Sequence, residues 1–113
     1  MTLSETLRLA MRGSAAAAGL TGRVGVLEPG YQADVALVDL SAPHNQPLHD
    51  PRAALVYSVS AADVVTVLVA GQVVVRDRRL TTMDLQEVLA DARSLAHTLV
   101  DLSSGGAIQH YEP

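Results

Sequence analysis

The stretch from residue 25 to residue 40, GVLEPGYQADVALVDL, constrains the fold most strongly because it places a sharp turn directly before an apolar strand. Pro29 fixes φ at the first central position of a type II turn, and Gly30 accepts the positive φ of the second. Val35 to Val38 are apolar without alternation, which predicts a strand covered on both faces. Asp34 stands at the entrance of this strand.

The N-terminus predicts a helix from about Leu3 to Ala18. Thr2 is followed three residues later by Glu5, which is the spacing of a capping box. Gly19 stands where a left-handed residue would end the helix. The packing stripe expected from helical spacing contains Leu3, Leu7, Ala10, Met11, Ser14 and Ala18.

A second helix is predicted near the C-terminus, where Asp84 and Glu87 lie at the positive end of its dipole. Its apolar stripe contains Leu85, Val88, Leu89, Ala92, Leu95, Ala96 and Leu99. Residues 103–113 follow it and are rich in glycine and serine, which predicts a flexible tail.

The middle of the chain predicts a β-hairpin. Thr66 to Ala70 and Val73 to Arg76 flank Gly71-Gln72, and a glycine in the first position of a two-residue loop favours a type II′ turn. Upstream, a loop with two prolines leads to Asp50 and Pro51. This pair predicts an N-cap and a first helical residue, and so a short helix over residues 52–56.

These elements together predict the α+β class, with a small antiparallel sheet between an N-terminal and a C-terminal helix. The predicted parts are a helix over residues 1–20, a β portion with its proline-rich loop over residues 21–80, a helix over residues 81–102 and a tail over residues 103–113.

Composition excludes several classes of function. The formal charge is −4 with eight basic residues, all arginine, which gives no basic stripe for nucleic acid and no polybasic membrane anchor. No apolar run reaches the roughly 18–20 residues that a membrane span needs, and no signal peptide is recognised. Cysteine is absent, which excludes disulfides and thiolate metal sites within these residues. We therefore expect a cytoplasmic protein that binds neither nucleic acid nor membrane.

Histidines offer the only candidate metal ligands. His44 and His49 lie five residues apart with Asp50 adjacent, whereas His97 lies on the C-terminal helix and His110 in the tail. A metal site needs three or four converging ligands, and a polar loop explains the same residues. We therefore predict no metal site in this chain.

No catalytic or cofactor-binding residue is predicted either. Ser14 falls inside a predicted helix, and no Gly-x-Ser-x-Gly motif surrounds a serine. Gly22 and Gly25 do not follow a strand, and Pro29 lacks an N–H group that a phosphate would use.

Three segments resemble the amidohydrolase superfamily: GRVGVLEPGYQADVALVDL, the helical ETLRLAMRGSAAAAGL, and DVVTVLVAGQVVVRDRRL. The first is similar to the segment by which these enzymes leave their metal-binding barrel and enter a composite β-sandwich. The loop SAPHNQPLHDPRAALVYSV is similar to the chlorohydrolase branch and to the adenosine- and S-adenosylhomocysteine-type deaminases. The resemblance covers residues 3–100 and implies that Asp34 is structural, accepting hydrogen bonds from loop backbone.

The resemblance implies a zinc or iron ion that activates water in full-length relatives. The family's metal ligands and acid–base residues belong to upstream barrel segments, so the resemblance carries none of them over, and the barrel core is expected to be absent. The chain is therefore interpreted as the C-terminal portion of a hydrolase of non-peptide C–N bonds, inactive by itself. A freestanding, non-catalytic β-rich interaction module is the alternative.

The expected partners follow from the same resemblance. Strands that the family takes from its N-terminus have no counterpart here, so valine-rich edges would lack partners. We expect either the missing barrel part or a second copy to supply them, the latter as a twofold dimer with exchanged strands or helices.

Overall fold

A computed structural model describes residues 1–101 and divides the chain into two compact units at Thr81. The first unit contains α1 (Leu3–Arg8), α2 (Ser14–Ala17), β1 (Val35–Val38), α3 (Pro51–Tyr57), β2 (Val64–Val69), β3 (Gln72–Arg76) and β4 (Arg79–Leu80). The second unit contains α4 (Leu85–Asp101). The predicted α+β class is confirmed, and the predicted tail over residues 103–113 lies outside the described residues.

The N-terminal helix begins and ends as predicted. The Thr2 N–H donates to Glu5 Oε2 at 2.6 Å and the Glu5 N–H donates to Thr2 Oγ1 at 3.3 Å, which completes the capping box. At the other end Gly19 has φ +72°, and the Leu20 N–H donates to the Ala15 carbonyl at 2.8 Å. This is the Schellman arrangement that satisfies the last carbonyl groups.

The helix is not α-helical throughout, because α1 and α2 are joined by a π-helical turn over Leu9–Gly13. A π-turn inserts one residue and rotates everything after it. Ala15 is consequently the buried residue of this helix, whereas Ser14, which the predicted stripe included, is exposed. From Ala10 onwards the residues of the predicted stripe are exposed, and three of them line the groove described below.

The sheet has the strand order β1-β2-β3-β4, with every neighbouring pair antiparallel. The first three strands were predicted, and β4 was missed. Asp77 and Arg78 form the turn before β4, with φ +49° and +63°. Aspartate is a residue type that accepts a positive φ, but arginine is not, so the sequence carries only half of the usual signal for such a turn.

The β2–β3 hairpin differs from its prediction in the position and type of its turn. Its two loop residues are Ala70 and Gly71, with φ +49° and +82°, so the turn is of the type I′ class and Gln72 belongs to β3. Ala70 tolerates this conformation because its N–H donates to Asp34 Oδ1 at 2.7 Å, and the Gly71 N–H donates to the Ala33 carbonyl at 3.0 Å. The predicted role of Asp34 as an acceptor for loop backbone is confirmed.

Arg78 ties the second turn to the beginning of β2 and to the end of β1. Its N–H donates to the Val65 carbonyl at 3.0 Å and its Nε–H to the Ala62 carbonyl at 2.9 Å. Its Nη2 group lies 3.2 Å from Asp39 Oδ2 at the end of β1. These contacts hold Arg78 in the left-handed region, which a non-glycine residue adopts only when its surroundings require it.

Apolar burial is much smaller than the composition suggests. Among residues 1–96 only Ala15 and Ala54 are buried apolar residues. The prediction that β1 is covered on both faces is wrong for this chain, since Leu37 is 50% exposed. The predicted cover requires another layer of structure against β1, and the described residues do not provide it.

The second unit confirms the predicted C-terminal helix. Asp84 Oδ1 accepts from the Gln86 N–H at 2.8 Å and from the Glu87 N–H at 3.3 Å, which satisfies the first turn of α4. Leu85, Val88, Leu89 and Leu95 of its apolar stripe are exposed. Within the described residues no helix is both long and apolar enough to cross a membrane.

Candidate functional site

The most ordered polar site in the first unit is a cluster around Asp63, here called the Asp63 cluster. It contains His44, Asn45, Ser58, Ser60 and Asp63. A single helical turn, Pro43–Asn45, presents the histidine and the asparagine, and a second such turn, Ala61–Asp63, presents the aspartate. The cluster therefore joins the proline-rich loop to the beginning of β2.

Asp63 is the centre of this cluster and is only 3% exposed. Its Oδ2 atom accepts from the Ser60 N–H at 2.8 Å and from Ser60 Oγ at 3.1 Å. His44 Nε2 lies 2.8 Å from the same oxygen. The hydrogen bond from the Ser60 backbone, followed by that from His44, lowers the pKa of Asp63 from 3.8 to about 2, despite the opposing effect of burial.

These distances fix the hydrogen position on His44. An ionised carboxylate only accepts hydrogen bonds, so Nε2 of His44 carries a proton and donates it to Asp63. The contact of 3.2 Å between Asn45 Nδ2 and the same nitrogen is then a packing contact rather than a second hydrogen bond.

Asn45 and Ser58 complete the cluster. Asn45 is 4% exposed, and its Oδ1 accepts from Ser58 Oγ at 2.7 Å. Ser58 Oγ also lies 3.3 Å from the Ala54 carbonyl of α3. Neither Ser58 nor Ser60 donates to His44, so the cluster lacks the serine–histidine contact that nucleophilic catalysis requires. The arrangement serves to join backbone segments.

The sequence hypothesis of a metal site at His44, His49 and Asp50 does not match this geometry. His44 uses Nε2 on Asp63, and both oxygens of Asp50 are bonded to Arg52, at 2.9 Å to its backbone N–H and 2.9 Å to Nη2. His44 and His49 line the same cavity of about 270 Å³. Within the described part of the chain no three His, Asp or Glu residues are grouped to hold a metal ion, so these donors do not fit a zinc site.

Asp50 instead caps α3, as predicted, with Pro51 at the first helical position. Sequence reasoning missed Asp63 and Asn45. The signal for Asp63 was present, because Ser60 precedes it by three residues as in a capping box. Asn45 had no signal, since its partner Ser58 is 13 residues away. The side chain of His97 and the whole of His110 lie outside the described structure.

A second candidate site is an apolar groove between the N-terminal helix and the segment after it. A cavity of about 470 Å³ opens there, lined by Met11, Ser14, Ala15, Ala18, Leu20, Val24, Gly25, Val26, Leu27, Asp34 and Val35. The groove has almost no polar group that could orient a small substrate. Its composition is that of a packing surface rather than a catalytic pocket.

Comparison with known proteins shows which family and which relatives this chain resembles. Residues 1–74 match the model of the amidohydrolase family. A 5-methylthioadenosine/S-adenosylhomocysteine deaminase of Pelotomaculum thermopropionicum is 44% identical over 97 residues, which are 86% of this chain and 22% of the relative. The deaminase of the same name from Desulforudis audaxviator is 45% identical over 95 residues, or 84% of this chain and 22% of the relative.

Solved structures give the same result. A zinc-bound adenosine deaminase of Xanthomonas campestris superposes with a TM-score of 0.82 at 38% identity, over 87% of this chain and 22% of that one. A zinc-bound atrazine chlorohydrolase of Arthrobacter aurescens superposes with a TM-score of 0.74 at 35% identity, over 83% and 20%. The chain thus spans about a fifth of the length of these relatives. The match over residues 1–74 and these likenesses confirm the resemblance, and the chain belongs to the amidohydrolase family.

Proposed function

We propose that this chain is the C-terminal part of a zinc- or iron-dependent amidohydrolase that removes the amino group from adenosine-type nucleosides. The observation that carries this proposal is an agreement between two kinds of likeness. The similar curated proteins are named 5-methylthioadenosine/S-adenosylhomocysteine deaminases, and an adenosine deaminase superposes with a TM-score of 0.82. The atrazine chlorohydrolase is less similar in both identity and backbone, which favours deamination over dechlorination.

In this proposal the chain contributes structure, and the remainder of the enzyme contributes the chemistry. The donors of the described residues do not fit a metal site, and neither serine of the Asp63 cluster donates to its histidine. The four-stranded sheet is then the C-terminal share of a composite β-sandwich, with its other strands coming from the remainder. We expect the purified 113-residue chain, supplied with zinc, to leave 5′-methylthioadenosine unchanged.

The size of the native product tests this proposal. An antibody raised against residues 84–100 is used to blot denatured extract of the source cells. The proposal predicts a band several times larger than 11.9 kDa, which on purification deaminates 5′-methylthioadenosine in a metal-dependent way. A single band at the size of this chain would contradict the proposal that it is made as part of a larger amidohydrolase, and would favour the freestanding interaction module.

We also propose that the chain purified by itself forms a twofold dimer by exchanging strands or helices. β1 is the outer strand of the sheet, and its four residues carry no charge that would oppose pairing with another strand. Multi-angle light scattering at micromolar concentration tests this. A well-folded monomer would contradict it. The location proposed for the enzyme is the cytosol.

A further inference from the structure

Leu27 is the most exposed apolar side chain of the groove beside the N-terminal helix, at 82% exposure. Three neighbouring cavities, of about 470, 400 and 300 Å³, are all lined by Val26 and Leu27. We call the surface that they share the Leu27 groove. It extends along the helix from Ser4 to Ala18 and along the chain from Leu20 to Val35.

The base of the groove is held tightly. Gly25, at φ +92°, approaches the helix so closely that an added Cβ would lie 2.9 Å from the Met11 carbonyl oxygen and 3.0 Å from Ala15 Cβ. On the other side of Leu27, Glu28 pairs with Arg12 at 3.2 Å. Leu27 is therefore held outward between two anchored neighbours. Exposed apolar patches of this kind mark interaction surfaces.

We propose that the Leu27 groove is the docking surface for the remainder of the amidohydrolase, and that it binds this remainder even as a separate chain. This inference rests on the function proposed above. The chain matches relatives over 84–87% of its own length but only 22% of theirs, so the relatives contain several times as much polypeptide outside this segment. The proposed partner surface has an apolar pocket for Leu27. It also has an acidic group near Arg8, because Arg8 lines one of the cavities.

The size of the exposed surface supports an occupant of this kind. A small domain with only two buried apolar residues among its described side chains needs further apolar cover to reach the burial of an ordinary fold. A flat partner surface would leave part of the Leu27 side chain in contact with water, whereas a pocket that receives the side chain would bury it completely. The groove therefore selects for shape as well as for apolar character.

Co-expression tests the proposal. This chain, carrying an affinity tag, is produced together with the Pelotomaculum thermopropionicum deaminase from which the 97 matched residues have been deleted. The proposal predicts that the tag captures the truncated deaminase in equimolar amount. Leu27→Asp is expected to reduce capture by at least about tenfold, because it places a charge in the centre of the interface.

A matched variant separates the effect of the groove from that of any exposed leucine changed to aspartate. Leu9 belongs to the N-terminal helix that forms one side of the groove. It is 54% exposed and lines none of the three cavities. Leu9→Asp is expected to change capture by less than about threefold. Equal losses for Leu9→Asp and Leu27→Asp, or capture that survives Leu27→Asp, would overturn the assignment of the groove. Self-association that is lost with Leu27→Asp, without capture of the truncated deaminase, would also overturn it, in favour of a second copy as occupant.

A chimera provides a second test that does not require the truncated deaminase to fold by itself. Here the 97 matched residues of the relative are replaced by this chain, and thermal unfolding is followed. Leu27→Asp should lower the unfolding midpoint of the chimera much more than Leu9→Asp, and equal shifts would contradict the proposal. Capture without nucleoside deamination would support docking but count against the proposed function. Deamination by the native full-length enzyme, with no capture and with equal shifts of the two chimera variants, would support the proposed function but count against docking through the groove.

Discussion

The Asp63 cluster and the Leu27 groove are opposites within one compact unit. In the cluster, Asn45 and Asp63 are 4% and 3% exposed, and Asn45 Oδ1 and Asp63 Oδ2 each accept a hydrogen bond from within the chain. In the groove, an apolar side chain is 82% exposed although its backbone is anchored. The polar part of this unit is complete within the chain, and the apolar part is not.

The difference follows from the range over which each kind of interaction acts. The hydrogen bonds of the cluster join residues at most 19 positions apart, and each needs only one correctly placed partner. Apolar burial grows with the amount of polypeptide that surrounds a residue, which a small unit cannot supply. If the chain is part of a larger fold, as proposed above, this difference explains why its polar contacts are complete while its packing surfaces are exposed.

The largest expected effect is at the base of the groove. Gly25→Ala forces a Cβ into the Met11 carbonyl oxygen as well as an unfavourable φ of +92°, and is expected to destabilise the unit by about 2–4 kcal/mol. Gly30→Ala is the matched control, because Gly30 has φ +94° but open space around its Cβ position. It is expected to cost only about 1–2 kcal/mol. Urea unfolding followed by circular dichroism measures both, and equal costs would show that the segment is not anchored to the helix.

The next effect is in the Asp63 cluster. Asp63→Asn keeps the size of the side chain but places an NH2 group against donors from Ser60 or His44. We expect the unfolding midpoint to fall by about 5 °C or more, and Asp91→Asn, on the exposed surface of α4, to leave it unchanged within about 1 °C. A midpoint for Asp63→Asn equal to that of the parent chain would mean that the cluster does not hold the loop in place.

A pH titration sharpens the same point. Asp63 has a pKa of about 2 in the folded chain against an ordinary value of 3.8, so the unfolded chain binds a proton first as pH falls. The stability that this carboxylate contributes is complete above about pH 4 and is lost as pH falls towards 2. The acid-induced decline should be shallower in Asp63→Asn than in the parent chain. Superimposable declines would refute the stabilising role of the ionised carboxylate.

The smallest effect is expected at Leu27, which is 82% exposed. Leu27→Asp in the chain alone should change the free energy of unfolding by no more than about 0.5 kcal/mol, because little of the side chain is buried there. Chemical denaturation of the monomeric fraction provides the measurement. A loss of 2 kcal/mol would show that Leu27 is already packed within the chain, and the contrast between groove and cluster would fail.

Local features of the fold could be predicted from the sequence because their partners are close in the chain. The caps at Thr2 and Asp50 are present, and so is the turn at Pro29-Gly30, where the Tyr31 N–H donates to the Glu28 carbonyl at 3.2 Å. The role of Asp34 was also predicted, although its partner Ala70 is 36 residues away, because a family resemblance implied it.

Features fixed by distant contacts were missed. The hairpin turn lies at Ala70-Gly71 because Ala33 and Asp34 hold its two N–H groups, and no local rule favours alanine at a positive φ. The π-turn in the N-terminal helix likewise changes which alanine is buried. The Asp63–His44 contact joins two loops, and no local pattern predicts that they meet.

Hydrogen exchange followed by mass spectrometry tests the central contrast most directly, with the chain measured alone and in the presence of the truncated deaminase. The account predicts that the backbone around Asn45 and from Ser60 to Asp63 is protected in the chain alone and unchanged by the partner. The helix from Leu3 to Ala17 and the segment from Val24 to Glu28 should gain protection only when the partner is added. Unchanged exchange in the groove, or protection gained at the Asp63 cluster instead, would contradict the account.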